Sequence, residues 1–137
     1  MGFFSRLWRK RAAKILVVED SPEIRELIKD VLTLSGYDVT VASDGLQGLA
    51  CFKKDKFDLL ILDYNMPRMG GAELLGLIRA APEGRKQAVI ILSAEQMLDP
   101  IYKAYDHGIV EWIPKPFTSA DLLKKVVAHL KAPKKAA

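Results

Sequence analysis

The feature that most constrains the fold is a series of five short apolar runs separated by longer amphipathic segments. The runs cover residues 15–18, 39–41, 59–62, 88–92 and 110–113. Consecutive rather than alternating apolar residues are typical of strands that are buried on both faces of a parallel sheet. The longest run has five residues, whereas a membrane-spanning helix needs about 20. With 137 residues in the chain, the pattern predicts one compact domain built around this sheet.

The segments between the runs carry the signals of helices. Ser21-Pro22 precedes an apolar stripe with a helical period, and Gly36 follows the stripe, which gives a cap, a proline in the first turn and a glycine stop. Thr118 and Asp121 give the last segment a start that resembles a capping box. These signals predict helices after the first and fifth runs.

Two of the predicted helices are less regular. The second contains Gly45 and Gly48, which lower helix propensity, and the fourth begins at Asp99-Pro100, because proline breaks a helix interior. Five strands alternating with five helices predict the α/β class, with a doubly wound parallel sheet. In such sheets, ligands bind beyond the carboxyl ends of the strands.

Ionisable or hydroxyl side chains follow four of the five predicted strands. Glu19 and Asp20 follow the first strand, Asp63 the third, Ser93 the fourth and Lys115 the fifth. Neighbouring carboxylates repel one another unless a cation lies among them, and oxygen ligands of this kind suit Mg²⁺. A carboxylate nucleophile beside a metal ion, an ammonium group and a hydroxyl is equipped for phosphoryl transfer. The glycine-rich phosphate-binding motifs GxGxxG and GxxxxGKS/T are absent from the sequence.

Four separated segments together resemble the receiver domain of bacterial two-component response regulators. They are KILVVED at 14–20, DLLILDYNMP at 58–67, Ser93-Ala94, and Lys115-Pro116-Phe117. The resemblance covers residues 14–131, which leaves residues 1–13 as a basic amphipathic N-terminal extension and residues 132–137 as a basic tail. It implies a flavodoxin-like, five-stranded parallel sheet of order 2-1-3-4-5, flanked by five helices.

The resemblance also implies a role for each residue at the strand ends. Asp63 accepts a phosphoryl group from the phosphohistidine of a sensor histidine kinase or of a histidine phosphotransfer protein. Mg²⁺ is held by Glu19, Asp20, Asp63 and the main-chain carbonyl of Asn65, and Lys115 pairs with the aspartyl phosphate. The Lys–Pro peptide bond after Lys115 is expected in the cis form.

Signalling in such a domain is expected to run from Ser93 to the aromatic residue at 112. On phosphorylation, Ser93 moves toward the phosphoryl group and Trp112 moves into the vacated space, which biases a protein-binding surface formed by the fourth helix, the fifth strand and the fifth helix. Trp112 stands where the family usually has Tyr or Phe, and Ile109 where it usually has Ala. Asn65 and Glu95 are expected to set the lifetime of the phosphoryl group.

These inferences predict a single-domain response regulator that catalyses only its own phosphorylation and dephosphorylation. One alternative is a phosphohydrolase of the haloacid dehalogenase type, which also places an acid after an apolar strand. That family requires a second acid two residues further on, where this chain has Asn65, followed by Met66-Pro67. The other alternative is a receiver-like binding module that is not phosphorylated, and the complete acidic set argues against it.

The net charge of +4 is unevenly distributed along the chain. Residues 1–14 hold five basic side chains and residues 131–137 hold three, whereas residues 15–130 hold 13 basic and all 17 acidic side chains, a net charge of −4. An acidic body is unsuited to direct nucleic-acid binding. The single cysteine, Cys51, suits a reducing compartment, and we expect a cytoplasmic protein.

Residues 2–11 (GFFSRLWRKR) lie outside the resemblance. Phe3, Phe4, Leu7 and Trp8 fall on one face of a helix, and the basic residues Arg6, Arg9 and Lys10 lie elsewhere. A short basic amphipathic helix docks on an anionic membrane or on a partner protein. The alternative is an arm that is poorly ordered or packed on its own domain.

Overall fold

The computed structural model of the protein describes residues 11–94 and 109–130. Within these ranges there are five strands, β1 (Lys14–Val18), β2 (Asp38–Ala42), β3 (Leu59–Asp63), β4 (Val89–Ser93) and β5 (Ile109–Pro114). They alternate with the helices α1 (Pro22–Leu34), α2 (Gly45–Lys54), α3 (Gly71–Ala80) and α4 (Ser119–Leu130), and a 3-10 helix covers Pro82–Gly84. None of the helices described here has the length and apolarity to cross a membrane.

The strands form one parallel sheet in the order β2-β1-β3-β4-β5. This arrangement confirms the predicted α/β class and the predicted strand order. The described residues contain four α-helices rather than the predicted five. The predicted helix that begins at Asp99-Pro100 lies outside the described residues, and α4 corresponds to the predicted fifth helix. The domain boundaries at residues 13/14 and 131/132 stay predictions.

The central strands are buried on both faces because successive side chains of a strand point to opposite sides of the sheet. In β1, Ile15 and Val17 pack in one hydrophobic core with α1 and α4, whereas Leu16 and Val18 pack in a second core with α2 and α3. β3 and β4 repeat this alternation. The two cores explain why the runs of β1, β3 and β4 are apolar at successive positions.

The prediction of burial on both faces is wrong for β2. Asp38 at its start is exposed, Val39 and Val41 are only half-buried, and Ala42 alone is buried. The physical reason is position, because β2 pairs only with β1 and lies at the edge of the sheet. An edge strand has a neighbouring strand on one side only, so its side chains are less completely buried.

The predicted helix boundaries of α1 and α4 are confirmed by their caps. The Ser21 hydroxyl accepts a hydrogen bond from the Ile24 N–H at 3.4 Å, and the Thr118 hydroxyl accepts one from the Asp121 N–H at 3.0 Å. Gly36 follows α1 with a φ of 96°, in the left-handed region that glycine adopts without steric penalty. These local signals place the loops that carry the strand-end residues.

The two glycines of α2 allow close packing. A Cβ atom on Gly48 would lie 2.7 Å from Val18 Cγ2, and one on Gly45 would lie 2.7 Å from the Cβ of Met69. Real Cβ atoms do not approach other atoms this closely. The glycines that weaken the helix as a sequence pattern therefore bring α2 against β1 and against the loop that follows β3.

Candidate active site

The carboxyl ends of β1, β3, β4 and β5 bring the predicted site residues to one edge of the sheet. β1 and β3 are hydrogen-bonded neighbours, so Glu19 and Asp63 extend from adjacent strands. The Glu19 N–H donates to the Ala42 carbonyl at 3.1 Å, and the Lys115 N–H donates to the Ser93 carbonyl at 2.7 Å. Main-chain hydrogen bonds thus fix the backbone from which the functional side chains extend.

Glu19, Asp20 and Asp63 form an acidic cluster, in which one carboxylate oxygen of each lies within 4.8 Å of the others. Glu19 and Asp63 are buried, and Asp20 is exposed. Asp63 Oδ2 is buried and has no hydrogen-bond partner among the described residues. A hard divalent cation would bind this oxygen and offset the repulsion among the three carboxylates. The cluster therefore fits the oxygen donor set that Mg²⁺ prefers.

Lys115 supplies a positive charge beside the acidic cluster. Its Nζ lies 3.0 Å from Glu19 Oε1 and 3.0 Å from Asp63 Oδ1. The Lys115–Pro116 peptide bond is cis, as the resemblance implies. One ammonium group does not balance three carboxylates, so the site has an excess of negative charge that favours a further cation.

The pKa values in the site follow from burial and from the close contacts. Burial, together with contacts to Asp20 and Glu19, raises the pKa of Asp63 to about 7, against the opposing effect of Lys115. Burial disfavours the charged form of Lys115, but Glu19 and Asp63 outweigh it and raise the pKa of Lys115. Burial opposes ionisation of Asp20 as well, yet its contacts with Asp63 and Glu19 lower the pKa of Asp20. Without a cation, the acidic cluster therefore takes up a proton near neutral pH.

The remaining predicted residues lie at different depths. The main-chain N–H of Asn65 donates to Asp63 Oδ1 at 3.4 Å, and the Asn65 side chain is exposed. Ser93 is buried at the end of β4. Trp112 of β5 is half-buried and packs against the core that α2 and α3 share. Glu95 lies outside the described residues.

Arg25 of α1 also contacts the site, and sequence reasoning does not identify it. Its Nη1 donates to the carbonyl oxygens of Glu19 at 2.9 Å and Asp20 at 3.4 Å. The Ser21 N–H donates to Glu19 Oε2 at 3.0 Å. These bonds hold the loop after β1 in place. The sequence offers no signal for this role, because a basic residue in the first turns of an amphipathic helix is usually solvated.

The chain belongs to the response regulator receiver domain family, whose sequence profile matches residues 15–127. The receiver domain is a signal-transduction module that accepts a phosphoryl group. The matched range includes the whole acidic cluster and all of the five strands except Lys14, the first residue of β1.

Similar proteins include chemotaxis regulators. Chemotaxis protein CheY-3 of Vibrio cholerae is 40% identical over 114 residues, which span 82% of this chain and 88% of that protein. The structure of the chemotaxis response regulator CheY4 of Vibrio cholerae has a TM-score of 0.78 and 35% identity, and the match covers 87% of this chain and 99% of that one.

A third similar structure contains a metal ion. It is the receiver domain of the sensor histidine kinase PA1611 from Pseudomonas aeruginosa, with a magnesium ion coordinated in its active site cleft, and it has a TM-score of 0.76 and 28% identity. The match covers 86% of this chain and 97% of that one. The similarities support neither the phosphohydrolase alternative nor the unphosphorylated binding module.

Proposed function

We propose that Asp63 is the phosphoryl acceptor. The observation that carries this proposal is the setting of its carboxylate, with the Lys115 ammonium 3.0 Å from Oδ1 and with Oδ2 buried and without a hydrogen-bond partner in the described part of the chain. An Asp63 oxygen attacks the phosphorus of a phosphohistidine, so that a P–O bond forms, the P–N bond breaks and the imidazole leaves.

Glu19, Asp20, Asp63 and the carbonyl of Asn65 are the groups that would hold Mg²⁺. The proximity of three carboxylates and the buried Asp63 Oδ2 support this assignment, as does the magnesium ion in the similar PA1611 domain. When bound, Mg²⁺ supplies positive charge that neutralises the transferred phosphoryl group.

Lys115 and Ser93 complete the chemistry in this proposal. The Lys115 ammonium transfers its ion pair from the Asp63 carboxylate to a phosphoryl oxygen, and the Ser93 hydroxyl donates to another. The chain assists only its own phosphorylation and the hydrolysis of its aspartyl phosphate. Asn65, whose main-chain N–H donates to Asp63 Oδ1 and whose side chain is exposed, and Glu95 then tune how long the phosphoryl group persists.

The proposed phosphoryl donor is a histidine kinase or a histidine phosphotransfer protein in the cytoplasm, and the output is the binding of a downstream target protein rather than of nucleic acid. Phosphorylation moves Ser93 and then Trp112, and so changes the surface formed by β5, α4 and the predicted helix that begins at Asp99. The half-buried position of Trp112 in β5 supports this route, because a small inward shift of an indole displaces a large volume.

Incubation with Mg²⁺ and acetyl phosphate tests the acceptor. We expect the intact protein to gain the mass of one phosphoryl group, in an adduct that hydroxylamine removes, and Asp63→Asn to gain none. Asp58→Asn is the matched control, because Asp58 precedes the same strand at the opposite edge of the sheet. Adduct formation in Asp63→Asn would contradict the assignment, and sustained turnover of phosphomonoesters would favour a phosphohydrolase.

We also propose that residues 2–11 dock on an anionic membrane or on a partner protein, although they lie almost wholly outside the described residues. Five basic side chains within residues 1–14 and four large apolar ones within 2–11 support this idea. Co-sedimentation with phosphatidylserine vesicles, comparing the full chain with a chain lacking residues 1–12, tests the membrane form. We expect only the full chain to sediment, and equal partitioning of the two would exclude membrane docking.

A further inference from the structure

The loop between β3 and α3 carries the Asn65 carbonyl that the proposed function assigns to Mg²⁺. Two main-chain hydrogen bonds set its internal shape, from the Gly71 N–H to the Tyr64 carbonyl at 3.0 Å and from the Met69 N–H to the Pro67 carbonyl at 2.8 Å. Neither of these two bonds joins the loop to the acidic cluster, although at the start of the loop the Asn65 N–H donates to Asp63 Oδ1 at 3.4 Å. The orientation of the rest of the loop depends on contacts with another element.

Arg68 connects this loop to α2. Its Nη2 donates to Asp44 Oδ2 at 2.8 Å, and Asp44 Oδ1 accepts from the Gln47 N–H at 2.9 Å in the first turn of α2. The Asp44 side chain is only 8% exposed, so protein groups meet both of its oxygens. The Gln47 N–H lowers the pKa of Asp44, and Arg68 adds to this effect against the opposing effect of burial.

The backbone of Arg68 is in an unfavourable conformation. Its φ of 69° lies in the left-handed region, which disfavours a residue other than glycine. The Arg68 side chain is 68% exposed, and an ion pair with so exposed a partner contributes little to stability. The ion pair therefore contributes little to the free energy of unfolding, and we look for its effect in the position of the loop.

We propose that Arg68 is a positioning residue, whose ion pair with Asp44 holds the loop against the start of α2 and keeps the Asn65 carbonyl directed at the acidic cluster. The inference rests on the proposed magnesium site. Met69 is a second, apolar anchor, because it is buried and lies where a Cβ on Gly45 would be 2.7 Å away. The two anchors are consecutive in the chain, so together they restrict both the distance and the rotation of the loop.

Calorimetric titration with Mg²⁺ tests the proposal on the full chain and on the variants Arg68→Gly and Asp44→Asn. Glycine relieves the backbone conformation of residue 68, and asparagine still caps a helix. We expect each variant to bind Mg²⁺ about threefold to tenfold more weakly. The midpoint of thermal unfolding without metal should change little, which separates loss of positioning from loss of structure.

Long-range electrostatics alone predicts a different pattern. Removing the Arg68 cation would tighten Mg²⁺ binding, whereas removing the Asp44 anion would weaken it. A loop held by the ion pair instead predicts weaker binding in both variants and no further loss in the double variant. Arg68→Lys, which keeps the charge, is expected to recover part of the affinity.

Unchanged or tighter Mg²⁺ binding by Arg68→Gly would overturn the inference, and so would fully additive losses in the double variant. Glu19→Gln distinguishes this result from a failure of the proposed function. If Glu19→Gln and the unmodified protein bind Mg²⁺ equally, the metal site is wrong and the inference fails with it. If Glu19→Gln weakens binding and Arg68→Gly does not, the metal site stands and the role of Arg68 is refuted.

Discussion

Asp63 is the residue at which burial and charge conflict most strongly. It is 2% exposed, it lies beside two other carboxylates, and one of its oxygens has no hydrogen-bond partner in the described residues. A residue selected for stability alone would not be an acid here, because burying an imperfectly paired carboxylate is costly. The conflict is understandable if the unsatisfied oxygen is reserved for a cation and a phosphoryl group.

Asp63→Asn should therefore stabilise the metal-free protein. The folded pKa of Asp63 is about 7 against an ordinary 3.8, so between these values the native state binds more protons than the unfolded state, and stability falls as pH rises. Asp63→Asn removes the titrating group, so the variant does not lose stability with rising pH for this reason. We expect it to be more stable by roughly 1–3 kcal/mol at pH 8 and by less at pH 5, as measured by urea denaturation with EDTA. A gain that is the same at both pH values would contradict this explanation.

Sequence reasoning finds the residues whose positions depend on strand direction. Glu19, Asp63 and Lys115 are predictable because each follows an apolar run, and parallel strands bring their carboxyl ends to one edge. Arg25 and Arg68 are not predictable, because their contacts join a helix or a loop to backbone and side-chain groups of another loop. No periodicity encodes such distances. The sequence thus predicts the carboxylates and the ammonium group that the structure brings together, but not the arginines that contact their loops.

At the scale of elements, helix propensity and packing favour different residues at position 48 of α2. Gly48→Ala should gain up to about 1 kcal/mol from propensity, but the new Cβ would lie 2.7 Å from Val18 Cγ2, and overpacking costs about 1–3 kcal/mol. We expect a net loss of roughly 1 kcal/mol in the free energy of unfolding. In a Val18→Ala background, the same substitution should be neutral or stabilising. A stabilising Gly48→Ala in the unmodified protein would show that propensity outweighs packing.

The start of α3 is a position where stability can be added. Gly70 is its N-cap residue, with a φ of −76° and no side-chain cap, and an added Cβ would meet only the Tyr64 carbonyl at an ordinary 3.4 Å. Gly70→Asp should raise the free energy of unfolding by about 0.5–1 kcal/mol, through a cap and a less flexible unfolded chain. Gly70→Ala isolates the second effect. Equal gains in the two variants, measured by urea denaturation, would exclude the cap.

The pattern of apolar residues predicts the strands but not how deeply each strand is buried. Short runs of mainly apolar residues indicate all five strands, but they do not distinguish the central strand β1 from the edge strand β2. The difference depends on which strands pair, and the order 2-1-3-4-5 followed from the family resemblance rather than from periodicity. Burial of Val39 and Val41 was accordingly overestimated, whereas that of Ile15 was not.

In the molecule as a whole, stability and chemistry reside in different places. Two hydrophobic cores on opposite faces hold the sheet, and the acidic cluster lies at one edge, where it adds repulsion rather than packing. Eight of the basic residues lie at the ends of the chain, so residues 15–130 have a net charge of −4. A cation that binds the cluster should therefore affect the folding equilibrium of the entire domain.

Mg²⁺ should raise the thermal unfolding midpoint, because its proposed site, the acidic cluster, exists only in the folded chain. At about 100 times its dissociation constant the expected gain is about 2.7 kcal/mol, whereas NaCl at matched ionic strength should give little. Asp63→Asn should lose most of this gain, and Asp30→Asn, which removes an exposed acid of α1, should keep it. The stability advantage of Asp63→Asn without metal would then shrink or reverse in Mg²⁺. An equal rise in the midpoint of the unmodified protein, Asp63→Asn and Asp30→Asn would show that the cation binds elsewhere. Only a cation bound at the acidic cluster makes the stability of the whole fold depend on the charge at residue 63.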